Sequence, residues 1–379
     1  MPDLKIFEWL SLNRYNFRKY DFSLIFVVFI LAMVSTFILS RVTTSFSLVK
    51  QLLGIFLGFL LMFIVSLVNY HTICRYIIVF YVIATLLVAA TRFSPLGTDL
   101  NTNSYRWIHL GGLMDFQPSE ICKVIIILTL SAYFNRQVTR EDKEIKSLKT
   151  FFTACFLALL PTGFILVQSD LSSSVVIIMV LVIMLMSSGV GAKILGPVAS
   201  IVIPLVIGLF WYILQPGQKL LNEYQVDRIV GFLNPEEAAL GTMFQQRNSV
   251  LSIASGKLYG KLLLENDNAT RNYQNVSVRD SDFVWTPIGE EFGFIGCFII
   301  LVLLSVVIIK CFIAAKKSID YLGMMIAIGF GAMFCFQIFF NIGVATSILP
   351  NTGLPLPFLS NGLTSFWSNM ITIGILLNI

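Results

Sequence analysis

The sequence predicts an all-α, polytopic membrane protein with about ten transmembrane helices, and three observations carry that prediction. Of 379 residues, 56% are apolar and only 12% are charged, about half the charged share of an average globular chain. Mean hydropathy is +0.83. Apolar runs close to the roughly 20 residues that a helix needs to cross a bilayer recur along the chain. A soluble fold with this balance could not cover its surface with polar groups, so soluble enzymes, secreted disulfide scaffolds and nucleic-acid partners are set aside.

The elements follow in order. The first run, 22–40, comes after a polar, charged segment and has no small-residue cleavage pattern behind it, so it is expected to stay as an anchor. Spans at 51–69 and 73–91 follow. The fourth, 119–134, is the shortest and opens at Pro118. Spans 151–168 and 171–188 are separated by a very tight turn, and 193–214 leads into a long loop of about 215–285. Thr286-Pro287 is a helix start with a mechanism, a cap followed by a proline at the first position, and it opens 286–309. Spans 321–343 and 361–378 complete a single domain over 1–379.

Direction comes from the positive-inside rule. With a cytoplasmic N-terminus, the inner segments hold Lys5, Arg14, Arg18, Lys19, Arg75, Arg136, Arg140, Lys143, Lys146, Lys149, Lys193, Lys310, Lys316 and Lys317. The short outer segments hold Arg41, Lys50, Arg92 and Arg106. Both termini are therefore expected in the cytoplasm. The long loop between helices 7 and 8 is extracytoplasmic, and its apolar stretches predict folding against the membrane surface. The six cysteines lie in or beside apolar runs without CxxC spacing and read as buried hydrophobes; His71 and His109 are too few for a His-rich metal site.

Charges near or inside spans are costly and point to function. Glu120 and Lys123 are three apart on the fourth span, so they share a helix face. A helix start explains Glu120, but it does not explain a lysine one turn deeper, so the pair is expected to face a cavity. Arg106 beside Trp107 reads alone as an interfacial anchor; its alternative is a guanidinium fork for phosphate. Asp170 serves equally as a helix cap or as a functional group. Asp282 precedes the eighth span, with Phe283 and Trp285 beside it at the membrane surface, and spacing does not separate a general base from a solvated loop carboxylate. Leu349-Pro350-Asn351-Thr352-Gly353-Leu354-Pro355-Leu356-Pro357 cannot be a regular helix. Its apolar character predicts irregular backbone buried in protein or lining a cavity.

Together these motifs resemble the SEDS family (shape, elongation, division and sporulation; RodA, FtsW and SpoVE). The matching pieces are Arg106-Trp107-Ile108, Phe116-Gln117-Pro118-Ser119-Glu120 and Gln168-Ser169-Asp170-Leu171. Next come Tyr224-Gln225, Arg228-Ile229, Phe232-Leu233-Asn234-Pro235-Glu236, Ser281-Asp282-Phe283 and Gly289-Glu290-Glu291-Phe292-Gly293. Leu349-Pro350, Thr352-Gly353-Leu354-Pro355-Leu356-Pro357-Phe358 and Ser360 close the series. The Phe-Gln-Pro-Ser-Glu form and the Phe-Leu-Asn-Pro-Glu stretch look more like the RodA-like elongation branch.

The resemblance implies a peptidoglycan glycosyltransferase that polymerises lipid II at the outer face of the bacterial cytoplasmic membrane. Its implied partner is a class B penicillin-binding protein. Asp282 matches the family's essential outer-loop aspartate, Glu120 and Lys123 its cavity pair, and Arg106 its motif arginine. Arg106, Glu120, Lys123 and Asp170 are thus candidate substrate contacts, and Asp282 the candidate base. A divalent cation, Mg or Mn, is a possible cofactor without an assigned site. Several positions depart from the family: Ser169 for Pro, Ser172 for Gly, Asn248, Ala254 and Lys257 in the loop, and Asn361 and Leu363 after Ser360. The loop is expected to fold differently where Lys257 replaces a glycine. Rival readings of the same charges are a lipid II flippase and a non-catalytic scaffold for the partner synthase.

Overall fold

The computed structural model describes residues 20–43, 48–94, 97–98, 106–110, 114–140, 147–215, 218, 223–233, 243–264 and 270–379. The basic N-terminal segment, residues 141–146 of the predicted cytoplasmic loop, and Asn234-Pro235-Glu236 lie outside them. Helix α1 (Phe22–Val42) starts under Asp21, whose side chain accepts from Leu24 N at 3.2 Å. Helix α2 (Leu48–Ser66) lies along the last helix, α14 (Leu363–Asn378). Gly54 and Gly58 make that approach possible: a Cβ at either would stand 2.2 or 2.5 Å from the Leu363 or Phe366 side chain. Such small-residue spacing lets membrane helices pack backbone to backbone, and Trp367 Nε1 donates 2.8 Å to Gly54 O across the seam.

The predicted third span divides. Tyr70–Arg75 forms the short helix α3, and α4 (Ile77–Phe93) follows. Helix α5 (Pro118–Arg140) is longer than the sequence indicates. It is also among the most enclosed helices, so its polar face is sheltered by neighbours and weakens the apolar signal. Helices α6 (Leu148–Val167) and α7 (Leu171–Ser187) meet at the predicted tight turn. Helix α8 (Ala192–Ile213) stands at the periphery. Helix α12 (Trp285–Lys317) runs to 33 residues, and α13 (Tyr321–Ala345) is the most buried span. Among the described residues seven helices have the length and hydropathy to cross a membrane; Ile77–Phe93 and Leu171–Ser187 are shorter apolar helices.

Two features were not expected. A small antiparallel sheet joins β1 (Gly97–Thr98), β2 (Trp107–Leu110) and β3 (Met114–Phe116), pairing His109 with Asp115. The long loop folds onto protein. Helices α9 (Glu223–Leu233), α10 (Phe244–Ser255) and α11 (Lys261–Leu264) belong to it, and α10 and α11 pack on α12.

The loop is seated by a break in α12. Gly293 has φ 65 and ψ −166, and a Cβ there would lie 2.3 Å from Gly260 N. The break frees two N–H groups, which donate to the loop: Phe294 N to Lys257 O at 2.9 Å and Ile295 N to Leu258 O at 3.2 Å. Glu290 and Glu291, both fully buried, complete the anchorage. Glu290 accepts from Lys261 Nζ at 2.6 Å, Asn272 N at 2.7 Å and Tyr273 N at 2.8 Å. Glu291 accepts from Arg271 Nε and Tyr273 OH, each at 3.0 Å. A reading of these glutamates as dipole partners misses their main partners, which come from the loop.

Lys257 does not block this fold. It takes φ 50 itself, so the left-handed conformation persists without glycine, at a cost of about 1–2 kcal/mol. The elements that the alternating topology assigns to one membrane face also meet in space. Arg279 Nε donates 3.2 Å to Val42 O at the end of α1. At the opposite end Lys310 Nζ lies 2.7 Å from Asp21 Oδ2, and Tyr70 OH donates 2.8 Å to Asp320 Oδ1.

Candidate functional site

The proline-rich stretch folds as predicted, irregular and buried. No helix or strand forms between Thr346 and Gly362. Leu354, Leu356, Phe358 and Leu359 are nonetheless at most 2% exposed. This strap remains stable because side chains from the bundle and from α10 of the long loop satisfy its carbonyls, as buried irregular backbone requires. Ser172 Oγ donates to Thr352 O, Asn341 Nδ2 to Leu354 O at 2.7 Å, Gln246 Nε2 to Leu349 O at 2.8 Å and Ser35 Oγ to Leu359 O at 2.9 Å. Phe358 sits at φ 65 and Gly353 at φ 77.

Asp282 lies against this strap. Its Oδ2 would be 3.1 Å from a Cβ on Gly353, so glycine there lets the carboxylate approach the backbone. Asp282 itself is partly buried, beside fully buried Phe283 and Val284. The turn is pinned on both sides: Ser360 Oγ donates 2.7 Å to Ser281 O, and Asn361 N donates 2.7 Å to Asp280 O. Asn361 Nδ2 adds a bond of 2.9 Å to Asp280 Oδ2, so this departure from the family pattern makes its own contact to the turn.

Arg106 and Asp170 meet at the turn between α6 and α7, which the strap touches through Thr352. Asp170 caps α7, its Oδ1 accepting from Ser173 N at 3.2 Å. Its Oδ2 accepts from Ser119 Oγ at 3.2 Å and Gln117 Nε2 at 3.4 Å, which ties the cap to the start of α5. Cap and cross-link are thus the same group. Arg106 Nη2 donates to Ser169 O, while its buried Nε has no hydrogen-bond partner. Ser169 takes φ 63, a conformation closed to the proline that the resemblance leads one to expect.

A cavity of about 340 Å³ opens here, lined by Arg106, Ser172, Phe210, Phe232, Thr352 and Leu354 among others. One cationic group faces apolar walls, which suits a lipid carrying a phosphate group. A second cavity, about 390 Å³, lies between the end of α1 and the outer segment, at Arg41, Thr43, Tyr273 and Arg279. Arg279 donates there to three backbone carbonyls, those of Val42, Gln274 and Val276, so that guanidinium braces the fold.

Glu120 and Lys123 do pair, Nζ to Oε1 at 2.8 Å, but both side chains are 2% exposed and neither lines these cavities. The expected cavity-facing pair is a buried one, enclosed by α14, whose Ser368 Oγ donates 2.9 Å to Glu120 O. Trp107 and its neighbours belong to a strand rather than a loose anchor. Sequence reasoning gave Asn341 no separate role; its signal was a polar residue near the end of an apolar span. Among the described residues no three His, Cys, Asp or Glu side chains cluster in a way that could hold a metal ion.

Fold and site define a polytopic membrane protein with charged groups buried among its helices and a long loop folded onto α12. The profile described as cell cycle protein, FtsW/RodA/SpoVE, matches residues 17–379, and the chain belongs to that family. A probable peptidoglycan glycosyltransferase FtsW of Haemophilus influenzae is 35% identical over 308 residues, covering 80% of this chain and 72% of its own. Peptidoglycan glycosyltransferase MrdB of Escherichia coli K12 is 30% identical over 294 residues, 78% of this chain and 74% of its own. Stage V sporulation protein E of Bacillus subtilis is 30% identical over 332 residues, 87% and 86%. Relatives with different names match at similar identity, so identity does not sort this chain into one branch.

Two solved structures share the fold. A chain from a peptidoglycan synthase complex, studied for its coordination of polymerization and crosslinking, aligns with TM-score 0.76 at 24% identity, over 95% of this chain and 97% of that one. The rod shape determining protein RodA of Thermus thermophilus aligns with TM-score 0.67 at 24% identity, over 94% and 96%.

Proposed function

We infer that this chain is a peptidoglycan glycosyltransferase of the bacterial cytoplasmic membrane, which polymerises lipid II into glycan strands at the outer face. The relatives' names support the activity. The observation that carries the site is Asp282, pinned against a strap whose residues also wall the cavity holding Arg106. Both termini are cytoplasmic in this reading.

The reaction is displacement at an anomeric carbon, with lipid pyrophosphate leaving. Asp282 takes the proton from the attacking sugar hydroxyl, a role worth about 10²–10⁴ in rate. Arg106, which lines the cavity, receives the departing phosphate charge. Asp170 holds the Arg106 turn to α5 through Ser119 and Gln117. Lys123 and Glu120, paired and buried on α5 away from the cavity, brace the helix that carries Ser119 rather than touching substrate. Among the described residues no three His, Cys, Asp or Glu side chains cluster, so an Mg or Mn ion would be held largely by the pyrophosphate of the substrate. The partner we propose is a class B penicillin-binding protein, which cross-links the new strand.

Labelled lipid II supplied to purified protein in liposomes tests this. The parent chain makes polymer and folded Asp282→Ala does not. Full polymerisation by Asp282→Ala removes the base assignment, and transfer of lipid II without polymer by the parent establishes a transporter instead.

A further inference from the structure

Asn341 lies near the outer end of α13 and is 1% exposed. Its Nδ2 donates 2.8 Å to Asp282 O and 2.7 Å to Leu354 O. Both hydrogens of one amide are thus spent on two separate chain segments, the Asp282 turn and the strap. The Oδ1 of the same amide is buried without a hydrogen-bond partner. An orphaned buried acceptor is destabilising, and an apolar side chain of similar size would not carry it. The two donors are what this position requires.

We propose that Asn341 is a positioning residue for glycan polymerisation: its amide clamps the Asp282 peptide to the strap and so sets where the Asp282 carboxylate stands relative to the cavity. The proposal rests on the reading of Asp282 as the base. The neighbouring bonds locate what the amide adds. The strap keeps Ser172 at Thr352 O, Gln246 at Leu349 O and the Ser360 hydroxyl at Leu356 N when Asn341 is removed. The turn keeps its ties at Ser281 and Asp280. What is lost is the direct link between the Asp282 carbonyl and Leu354, one residue from Gly353, over which the carboxylate lies. The cavity wall therefore survives while the base drifts. A displacement near 1 Å is enough to cost about 10²-fold in rate.

The test compares Asn341→Leu, Asn341→Gln and Asp282→Asn with the parent in liposomes. It measures kcat per folded molecule, KM for lipid II, and the melting temperature. Asn341→Leu is expected to lose kcat about tenfold or more with KM unchanged. Asn341→Gln keeps both donors one methylene out of register and shows a smaller loss of the same kind. It also carries the test if the leucine variant fails to accumulate. Parental kcat in a folded Asn341 variant, beside an inactive Asp282→Asn, overturns the positioning role alone. A loss that falls on KM with kcat preserved also overturns it. An active Asp282→Asn overturns the base reading, and the positioning role with it.

Discussion

Lys123 Nζ stands 2.8 Å from Glu120 Oε1, one turn apart on the same helix, and the two side chains are each only 2% exposed. Taking two charges out of water is expensive, and their attraction repays it only while both are present. The pair is therefore a commitment of the fold as much as a feature of the site.

Removing one partner strands the other. Glu120→Ala or Lys123→Ala should each destabilise the protein by about 3–5 kcal/mol, read as a fall in melting temperature in detergent. The double replacement Glu120→Gln with Lys123→Met should melt above either single variant. A double variant that melts lower than both would show that each side chain has a further partner of its own.

Backbone conformation makes a second prediction. Ser169 and Lys257 both occupy the left-handed region, at φ 63 and φ 50. Lys257→Gly should stabilise by about 1 kcal/mol by removing the side-chain penalty. Ser169→Pro should unfold the turn that receives Arg106, because proline cannot reach a positive φ. Melting curves of the two variants should thus shift in opposite directions. Unchanged stability in Ser169→Pro would mean that the turn can be rebuilt in another shape.

The third prediction concerns acid. Burial pushes the Asp21 carboxyl up, but hydrogen bonds from Lys310, Ser23 and Leu24 N outweigh it and hold the group below its usual value of 3.8. A carboxylate lowered in the folded state contributes stability above its unfolded value and loses it as pH falls through the folded one. Acid titration of the melting temperature should accordingly show a component, below the usual carboxylate value, that Asp21→Asn abolishes. The pair is partly solvated, so the component should be small and shrink with added salt. Identical acid profiles for parent and variant would remove the bridge from the account.

Much was legible in sequence because the bilayer is an exacting solvent. A span must be apolar over about 20 residues, so hydropathy located the helices and Asp170 marked where α7 begins; Thr286-Pro287 instead lies inside α12, which starts at Trp285 with no side-chain cap, and the Thr286 hydroxyl is paired with Ser249. The cost of charge in a membrane singled out Glu120 and Lys123, and the prolines marked the strap as irregular. Tertiary structure decided what those groups face. Burial of the Glu120–Lys123 pair, the attachment of the outer loop through Glu290 and Glu291, and the clamp of Asn341 on Asp282 all join segments far apart in the chain. Their partners are set by packing, and no local periodicity records them. Lys257 marks the same division: composition says that lysine avoids a positive φ, but the contacts around Gly260 and Gly293 hold it there, since the packing of a whole segment outweighs about 1–2 kcal/mol of local strain.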